Sequence, residues 1–129
     1  MNILDQYLLL VKEKRFSEGL PLIEEIVRRN PSVATSQFNY GICLTGLERH
    51  KDAAQAFLCA HSLNPELGGA LYRACLALAA DGDASKLLEI FRQECVRDPE
   101  MIQLFLEESK FADFWKLPGF KSLIAEYVP

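Results

Sequence analysis

Apolar residues recur at helical spacing along most of the chain, with polar residues between them. Residues three and four apart share one face of an α-helix, so each stripe predicts an amphipathic helix. The first two stripes are Leu4, Leu8 and Val11, then Leu20, Ile23 and Ile26. Short breaks at 14–16, 46–50 and 81–83 separate paired stripes, and the second and third contain a glycine suited to a tight turn. Such short links make the paired helices antiparallel.

The pattern repeats every 34 residues. Pro31, Pro65 and Pro99 stand at this offset, and each follows an amide or an acid. Proline lacks a backbone donor and disfavours helical geometry in the residue before it, so it ends the second helix of each period. The same offset aligns apolar columns: Leu4, Phe38 and Tyr72; Leu8, Ile42 and Leu76; Leu10, Leu44 and Leu78; Ile23, Phe57 and Phe91. We therefore predict three helical hairpins, at 1–33, 34–67 and 68–101.

A 34-residue helix-turn-helix period that ends in proline resembles the tetratricopeptide repeat. The middle period matches best, through Gly41, Leu44, Ala53, Phe57, Ala60 and Pro65. The resemblance implies an all-α fold, an α-solenoid of antiparallel helix hairpins with a right-handed superhelical twist. It also implies that Gly41 and Ala53 let two helices approach while Phe57 fills the gap between adjacent hairpins.

The outer periods depart from this pattern. Tyr7 and Cys75 stand in the column of Gly41, and Gly19 and Leu87 stand in the column of Ala53. Terminal repeats are commonly atypical. We expect the outer hairpins to pack less regularly than the middle one.

After Pro99 the period fails. Residues 101–108 are predicted to form a helix. Residues 109–126 resemble a terminal segment of bacterial repeat proteins, which consists of a short helix, a turn at Pro118 and Gly119, and a closing helix. This segment is rich in large apolar residues: Phe111, Phe114, Trp115, Phe120 and Leu123. Large exposed apolar patches are uncommon on monomers, so we expect a buried C-terminal helical cap at 102–129, with an exposed aromatic site as the alternative. The whole chain, 1–129, is predicted to form a single domain.

The resemblance implies that the first helix of each hairpin lines a concave groove. The predicted lining is Leu4, Leu8, Val11, Phe38, Asn39, Ile42, Thr45, Tyr72, Arg73 and Leu76. A mostly apolar groove suits an amphipathic helix or an extended segment with apolar anchors. A second interpretation remains open, in which these apolar residues are core, between hairpins or beneath a C-terminal segment folded into the groove.

Two well-known uses of such grooves bear on the ligand. Type III secretion chaperones built from three such repeats are one class that the resemblance implies. Another subclass grips a terminal carboxylate, and Asn39 and Arg73 match two of its columns. Leu4, Leu8 and Gly69 replace the lysine and asparagine residues that this clamp requires, so most of its charge-assisted hydrogen bonds would be missing.

Composition and charge argue against several other classes of function. Eighteen acidic and fourteen basic residues give a formal charge of -4, with no basic patch for nucleic acid. No apolar stretch reaches the length of a membrane span, and the first residues do not form a signal peptide, so we expect a cytoplasmic protein. No two of the four cysteines are close in the sequence, so we expect no metal site. We expect each thiol to pack as a small apolar group.

No pairing of nucleophile and base, no acid–base pair and no phosphate loop assembles from the sequence. We predict a protein that is not an enzyme and has no cofactor. Its expected function is protein–protein interaction, as an adaptor or a chaperone-like module that binds a peptide or helix of a partner in the groove. The alternative is a structural subunit that self-associates as a homo-oligomer or joins a larger complex, and occupancy of the groove separates the two.

Overall fold

The computed structural model describes residues 1–128, and within them every regular element is helical. The all-α prediction is confirmed for this part of the chain. The elements, in chain order, are α1 (Ile3–Lys12), α2 (Phe16–Arg29), α3 (Ala34–Gly46), α4 (His50–Leu63), α5 (Ala70–Asp81), α6 (Ala84–Arg97), α7 (Met101–Glu107), a 3₁₀ helix (Ser109–Lys116) and α8 (Pro118–Tyr127).

The chain divides into two compact units, the first Met1–Ala77 and the second beginning at Leu78. In the first unit, consecutive helices pack on one another: α1 on α2, α2 on α3 and α3 on α4. In the second unit, α6 packs on α7 and α8, and the 3₁₀ helix packs on α7 and α8. Each predicted period contains one pair of helices, whereas the single domain for the whole chain stays a prediction.

The 34-residue period recurs in the backbone itself. Helices α2, α4 and α6 begin at residues 16, 50 and 84 and end at 29, 63 and 97. Each follows a link with one residue in the left-handed region: Lys14 at φ 60°, Glu48 at φ 58° and Gly82 at φ 77°. The residue after each donates its N–H to a carbonyl five positions back, which is the Schellman end of a helix. These bonds are Arg15 to Leu10, Arg49 to Leu44 and Asp83 to Leu78, at 2.8, 2.9 and 3.0 Å.

The glycine predicted to make the second turn has another role. Gly46 is the last residue of α3, and the left-handed residue of that link is Glu48. A Cβ atom on Gly46 would collide with the ring of Phe16, at the start of α2. The expectation that Gly46 serves the turn is therefore wrong, because the glycine instead permits the close approach of α3 to α2.

The left-handed links give a testable difference in stability. A side chain in this conformation costs roughly 1–2 kcal/mol, and glycine recovers this at an entropic cost of roughly 0.5–1 kcal/mol. We expect Glu48→Gly to raise the free energy of unfolding by about 0.5–1 kcal/mol, and Gly82→Ala to lower it by about 1 kcal/mol. Urea denaturation measures both changes. Lys51→Gly, inside α4, is the control and should destabilise; a Glu48→Gly variant that loses as much as Lys51→Gly would contradict this account.

The residue before each of the three prolines of the period makes a local hydrogen bond. Asn30, Asn64 and Asp98 are extended, at φ −150°, −147° and −146°. The Oδ1 atom of each accepts a hydrogen bond from the backbone N–H two residues later, across the proline, which has no N–H to offer. The donors are Ser32, Glu66 and Glu100, at 3.3, 3.0 and 3.1 Å. This Asx turn explains why an amide or an acid precedes every proline of the period.

The first two hairpins place their large and small residues oppositely. Gly41 on α3 faces Phe57 on α4, and a Cβ atom on Gly41 would lie 2.6 Å from the Phe57 ring. In the first hairpin, the fully buried Tyr7 stands in the column of Gly41, and it lies against Gly19 on α2, where an added Cβ atom would be 3.5 Å from the Tyr7 ring. In the first hairpin the large residue therefore lies on α1 and the small residue on α2. This exchange compensates for the departure of the first period from the repeat pattern.

Phe91 on α6 is the centre of the second unit's core. Its ring is fully buried and contacts four other aromatic rings. Their centroids lie 4.0, 5.1, 5.6 and 5.9 Å from it, for Phe105, Phe111, Trp115 and Phe120. Phe111, Trp115 and Phe120 of the closing segment therefore pack against Phe91 on α6.

The closing helix begins earlier than predicted. Pro118 and Gly119 are the first two residues of α8, not a turn that precedes it. Proline is favoured at the first position of a helix, where its missing N–H would be unpaired anyway and its fixed φ suits the helix. An ion pair of 3.1 Å between Arg92 and Glu126 then joins α6 to α8.

Candidate partner-binding site

All ten residues predicted to line a groove lie in the first unit, on α1, α3 and α5. None of them is fully buried. Five are exposed, and these are Leu4, Leu8, Thr45, Tyr72 and Arg73. The other five are half-buried, and these are Val11, Phe38, Asn39, Ile42 and Leu76. We call this set the α1/α3/α5 face.

Helix α1 exposes leucine side chains on two sides. Leu4 and Leu8, one turn apart, are 40% and 45% exposed. Val11 continues their stripe but packs on the core around Tyr7, so the stripe is covered only at its C-terminal end. Leu9 is 46% exposed and points about 100° away from Leu8 around the helix. Two adjacent leucines of equal exposure thus sit on different sides of one helix.

A buried tyrosine ties α1 to α3 next to these residues. The hydroxyl of Tyr7 donates a hydrogen bond to the backbone carbonyl of Asn39. Burial, and to a smaller extent the neighbouring Cys43 thiol, raises the pKa of Tyr7 above its usual range, so the hydroxyl keeps its proton. Leu8 follows Tyr7 on α1, and Phe38 precedes Asn39 on α3. The bond therefore fixes the apolar stripes of the two helices beside each other.

Phe38 links α3 to both α4 and α5. Its ring meets Phe57 edge to face, with centroids 5.4 Å apart and planes at 69°. The guanidinium carbon of Arg73 lies 5.5 Å from the Phe38 centroid, within the range of a cation–π contact. Phe38 is therefore both part of the core and part of the α1/α3/α5 face, and its replacement would change packing as well as surface.

The α1/α3/α5 face carries very little charge. Helix α3 contains no charged residue, and Arg73 is the one charged member of the ten. Within residues 1–128 no carboxylate forms an ion pair with Arg73. The hydroxyl of Thr45 donates to the carbonyl of Gly41 at 2.8 Å, inside its own helix. The face thus offers apolar side chains and a single guanidinium group. Such a surface suits a ligand whose apolar side chains are buried on binding.

A polar depression lies elsewhere on α3 and α4, where the sequence had indicated nothing. Its volume is about 250 Å³, and it is lined by Gln37, Tyr40, Leu44, Arg49, Asp52, Gln55 and Ala56. Arg49 pairs with Asp52 at 2.9 Å, the hydroxyl of Tyr40 donates to Glu24 at 3.2 Å, and Gln37 donates to the carbonyl of Pro31 at 3.0 Å. Each of these four polar side chains has a partner within the protein, so the depression is bordered by structural hydrogen bonds and an ion pair.

Two of the buried thiols and the metal-ligating side-chain types are the candidates for reactive groups. Burial raises the pKa of the thiols of Cys43 and Cys95, so both are protonated and weakly nucleophilic near neutral pH. Across the described chain, no three His, Cys, Asp or Glu side chains are placed to hold a metal ion. A helix of the length and apolarity needed to cross a membrane is likewise absent from residues 1–128.

Comparison of the chain with protein-family models, with curated proteins and with solved structures gave no match. The resemblance to tetratricopeptide repeats rests on the residues of the chain and on their period.

Proposed function

We propose that this chain is a non-catalytic protein–protein interaction module whose α1/α3/α5 face binds an apolar segment of a partner. The observation that carries the proposal is the exposed stripe of Leu4 and Leu8 on α1, held beside α3 by the Tyr7 hydroxyl. We further propose that the hairpins stack as a tetratricopeptide-like α-solenoid with a right-handed superhelix, closed by the C-terminal segment. The recurrence of the left-handed links and of the Asx turns at 34-residue intervals supports this arrangement.

The exposed leucines favour a recognition surface over a core. Burial of one leucine side chain stabilises a protein by roughly 1.5–3 kcal/mol. Leu4 and Leu8 are a little under half exposed, so each lacks a large part of this stabilisation. Tyr72 on α5, in the column of Leu4, is 46% exposed as well. A partner that covers these side chains would recover that free energy on binding, which is how an apolar anchor contributes affinity.

The chemistry of the face indicates the class of ligand. Because α3 is uncharged and Arg73 is the single charged member, recognition by ion pairs is limited to one position. An amphipathic helix or an extended segment with two or more apolar side chains fits this surface. The chemistry of the face suits an adaptor or a chaperone-like protein that covers an apolar segment of another chain. Self-association through the same face would bury the same side chains.

Photo-crosslinking tests the proposal at single-residue resolution. Benzoylphenylalanine is introduced at Leu8 in one variant and at Leu9 in the other, and each purified chain is irradiated with host lysate. We expect a distinct covalent adduct from the Leu8 position and none from Leu9, because only Leu8 lies on the α1/α3/α5 face. Mass spectrometry then identifies the attached chain.

Three other outcomes count against this proposal. Equal adducts from both positions would show nonspecific apolar contact, and no adduct from either would remove the evidence for a ligand. An adduct with a second copy of the same chain would replace partner binding by self-association.

A further inference from the structure

The outward face of α7 and of its N-cap residue Glu100, in the second unit, combines acidic residues with one leucine. Glu100, Gln103, Leu104 and Glu107 are spaced three, one and three residues apart, so they share one face. All four are exposed, and Leu104 is 59% exposed. On the opposite side of α7, Ile102 and Phe105 are buried in the core. We call the four exposed residues the α7 face.

An open depression adjoins this face. Its volume is about 490 Å³, and it is lined by Asp98, Glu100, Met101, Gln103 and Leu104. Binding pockets for small organic groups are commonly roughly 300–1,000 Å³. The depression therefore has room for a long aliphatic side chain, with Met101 and Leu104 as apolar contacts and two carboxylates at its edge.

Three acidic residues, Asp98, Glu100 and Glu107, line or flank the depression. Residues 98–107 contain no basic residue. Eight other carboxylates of the chain form ion pairs with arginine or lysine: Glu13, Glu18, Glu25, Asp52, Glu89, Glu94, Asp113 and Glu126. Asp98, Glu100 and Glu107 form none within residues 1–128, and the neighbouring Arg97 pairs with Glu94 at 3.3 Å.

Helix stability accounts for only part of this arrangement. The Asp98 carboxylate accepts the N–H of Glu100 at 3.1 Å, and an acid at the start of α7 interacts favourably with the helix dipole. Glu107 is the last residue of α7, where a carboxylate opposes the dipole. Leu104 adds an exposed apolar side chain between the two acids. The carboxylates and the exposed leucine together form a surface that is complementary to a basic segment.

We propose that the α7 face docks a short basic segment of another protein, in which an aliphatic side chain stands between lysine or arginine residues. The aliphatic side chain enters the depression against Met101 and Leu104, and the basic residues meet Glu100 and Glu107. Nucleic acid and anionic membranes are repelled by the same charge. This docking surface is independent of the α1/α3/α5 face, which lies in the other unit.

The test is a titration of the ¹⁵N-labelled full chain, followed by amide chemical shifts. The probe is a peptide of about 14 residues, about four helical turns, with leucine and lysine at amphipathic spacing. The matched control peptide replaces every lysine by glutamate. We expect the lysine peptide to shift the amides of residues 98–107, to bind more weakly as salt rises, and to bind at least about fivefold more tightly than the glutamate peptide.

Variants locate the interaction. Leu104→Ser and the double change Glu100→Gln with Glu107→Gln should each weaken the lysine peptide at least about threefold, because each removes one of the two complementary features. Glu66→Gln, at an exposed carboxylate of the first unit, should leave the affinity unchanged. All of these positions are exposed, and circular dichroism checks that the helices persist.

Shifts confined to α1, α3 and α5, equal affinity for the two peptides, or unchanged affinity of the Leu104→Ser variant would each overturn the proposal. Loss of binding at the α7 face would leave the crosslinking result at Leu8 untouched, so the two proposals fail separately.

Discussion

Replacement of Phe91 by alanine should lower the free energy of unfolding by about 3–5 kcal/mol. The ring is fully buried and contacts Phe105, Phe111, Trp115 and Phe120, so its removal leaves a cavity among four aromatic side chains. No single neighbour can refill that space without losing contacts of its own. The loss should therefore lie near the upper end of the range for a buried phenylalanine.

Urea denaturation followed by tryptophan fluorescence measures this change. Trp115 is the only tryptophan of the chain, and its ring lies 5.6 Å from Phe91, so its emission reports on the core that the substitution disturbs. Val96→Ala is the control on the same helix, since Val96 is 73% exposed and should change stability by less than about 0.5 kcal/mol. A Phe91→Ala variant no less stable than Val96→Ala would show that this aromatic cluster does not hold the second unit together.

Replacement of Phe57 by alanine should cost about 3–5 kcal/mol and should also reverse the effect of a change at Gly41. In the wild-type chain, Gly41→Ala places a methyl group 2.6 Å from the buried Phe57 ring, and such overpacking costs about 1–3 kcal/mol. Without the ring, the same substitution meets open space. It then gains the helix propensity of alanine over glycine, about 1 kcal/mol.

A double-mutant cycle reads this coupling directly. Gly41→Ala is expected to destabilise the wild-type chain and to stabilise the Phe57→Ala chain, both measured by urea denaturation with circular dichroism. Gly68→Ala serves as the control, because a Cβ atom added at Gly68 would meet no other side chain within 4 Å, and it should show no coupling to Phe57. Additive effects at Gly41 and Phe57 would mean that the two residues do not fit together as the structure shows.

The helix pairs could be predicted from the sequence because two independent signals agree. The 34-residue spacing of the prolines fixes where α2, α4 and α6 end, and the apolar spacing fixes which segments are helical. The roles of individual glycines could not be read in the same way. Gly46 and Gly82 both lie near predicted links, but only Gly82 adopts a left-handed conformation, while Gly46 makes room for Phe16. A close approach between helices leaves no local trace in the sequence.

Other features lay beyond a single-sequence interpretation for equally physical reasons. The exchange of large and small residues between Tyr7 and Gly19 is a property of a pair 12 positions apart, visible only once the helices are packed. The division of the chain at Leu78 falls inside α5, where the apolar period continues without a break. The α7 face was missed because a helix of seven residues is too short to show a reliable period.

The helices that carry the candidate site could be predicted from the sequence, but the exposure of its residues could not. The columns of the repeat placed ten residues on three helices, and the same columns could not distinguish surface from core. The structure separates them: Leu4 and Leu8 are largely open, whereas Phe38 is held between Phe57 and Arg73. Leu8 is therefore a better position than Phe38 at which to test binding, because a change there leaves the core intact.

The most direct test of partner binding at the α1/α3/α5 face compares Leu8→Glu with Leu9→Glu. The two leucines are adjacent on α1 and are 45% and 46% exposed, so both variants change the helix and the net charge equally. The measurement is the Kd of each variant, by calorimetry, for the segment captured from position 8. We predict that Leu8→Glu weakens binding at least about tenfold while Leu9→Glu stays within about twofold of the wild-type chain. Equal affinities of the two variants would contradict the assignment of the α1/α3/α5 face as the binding site.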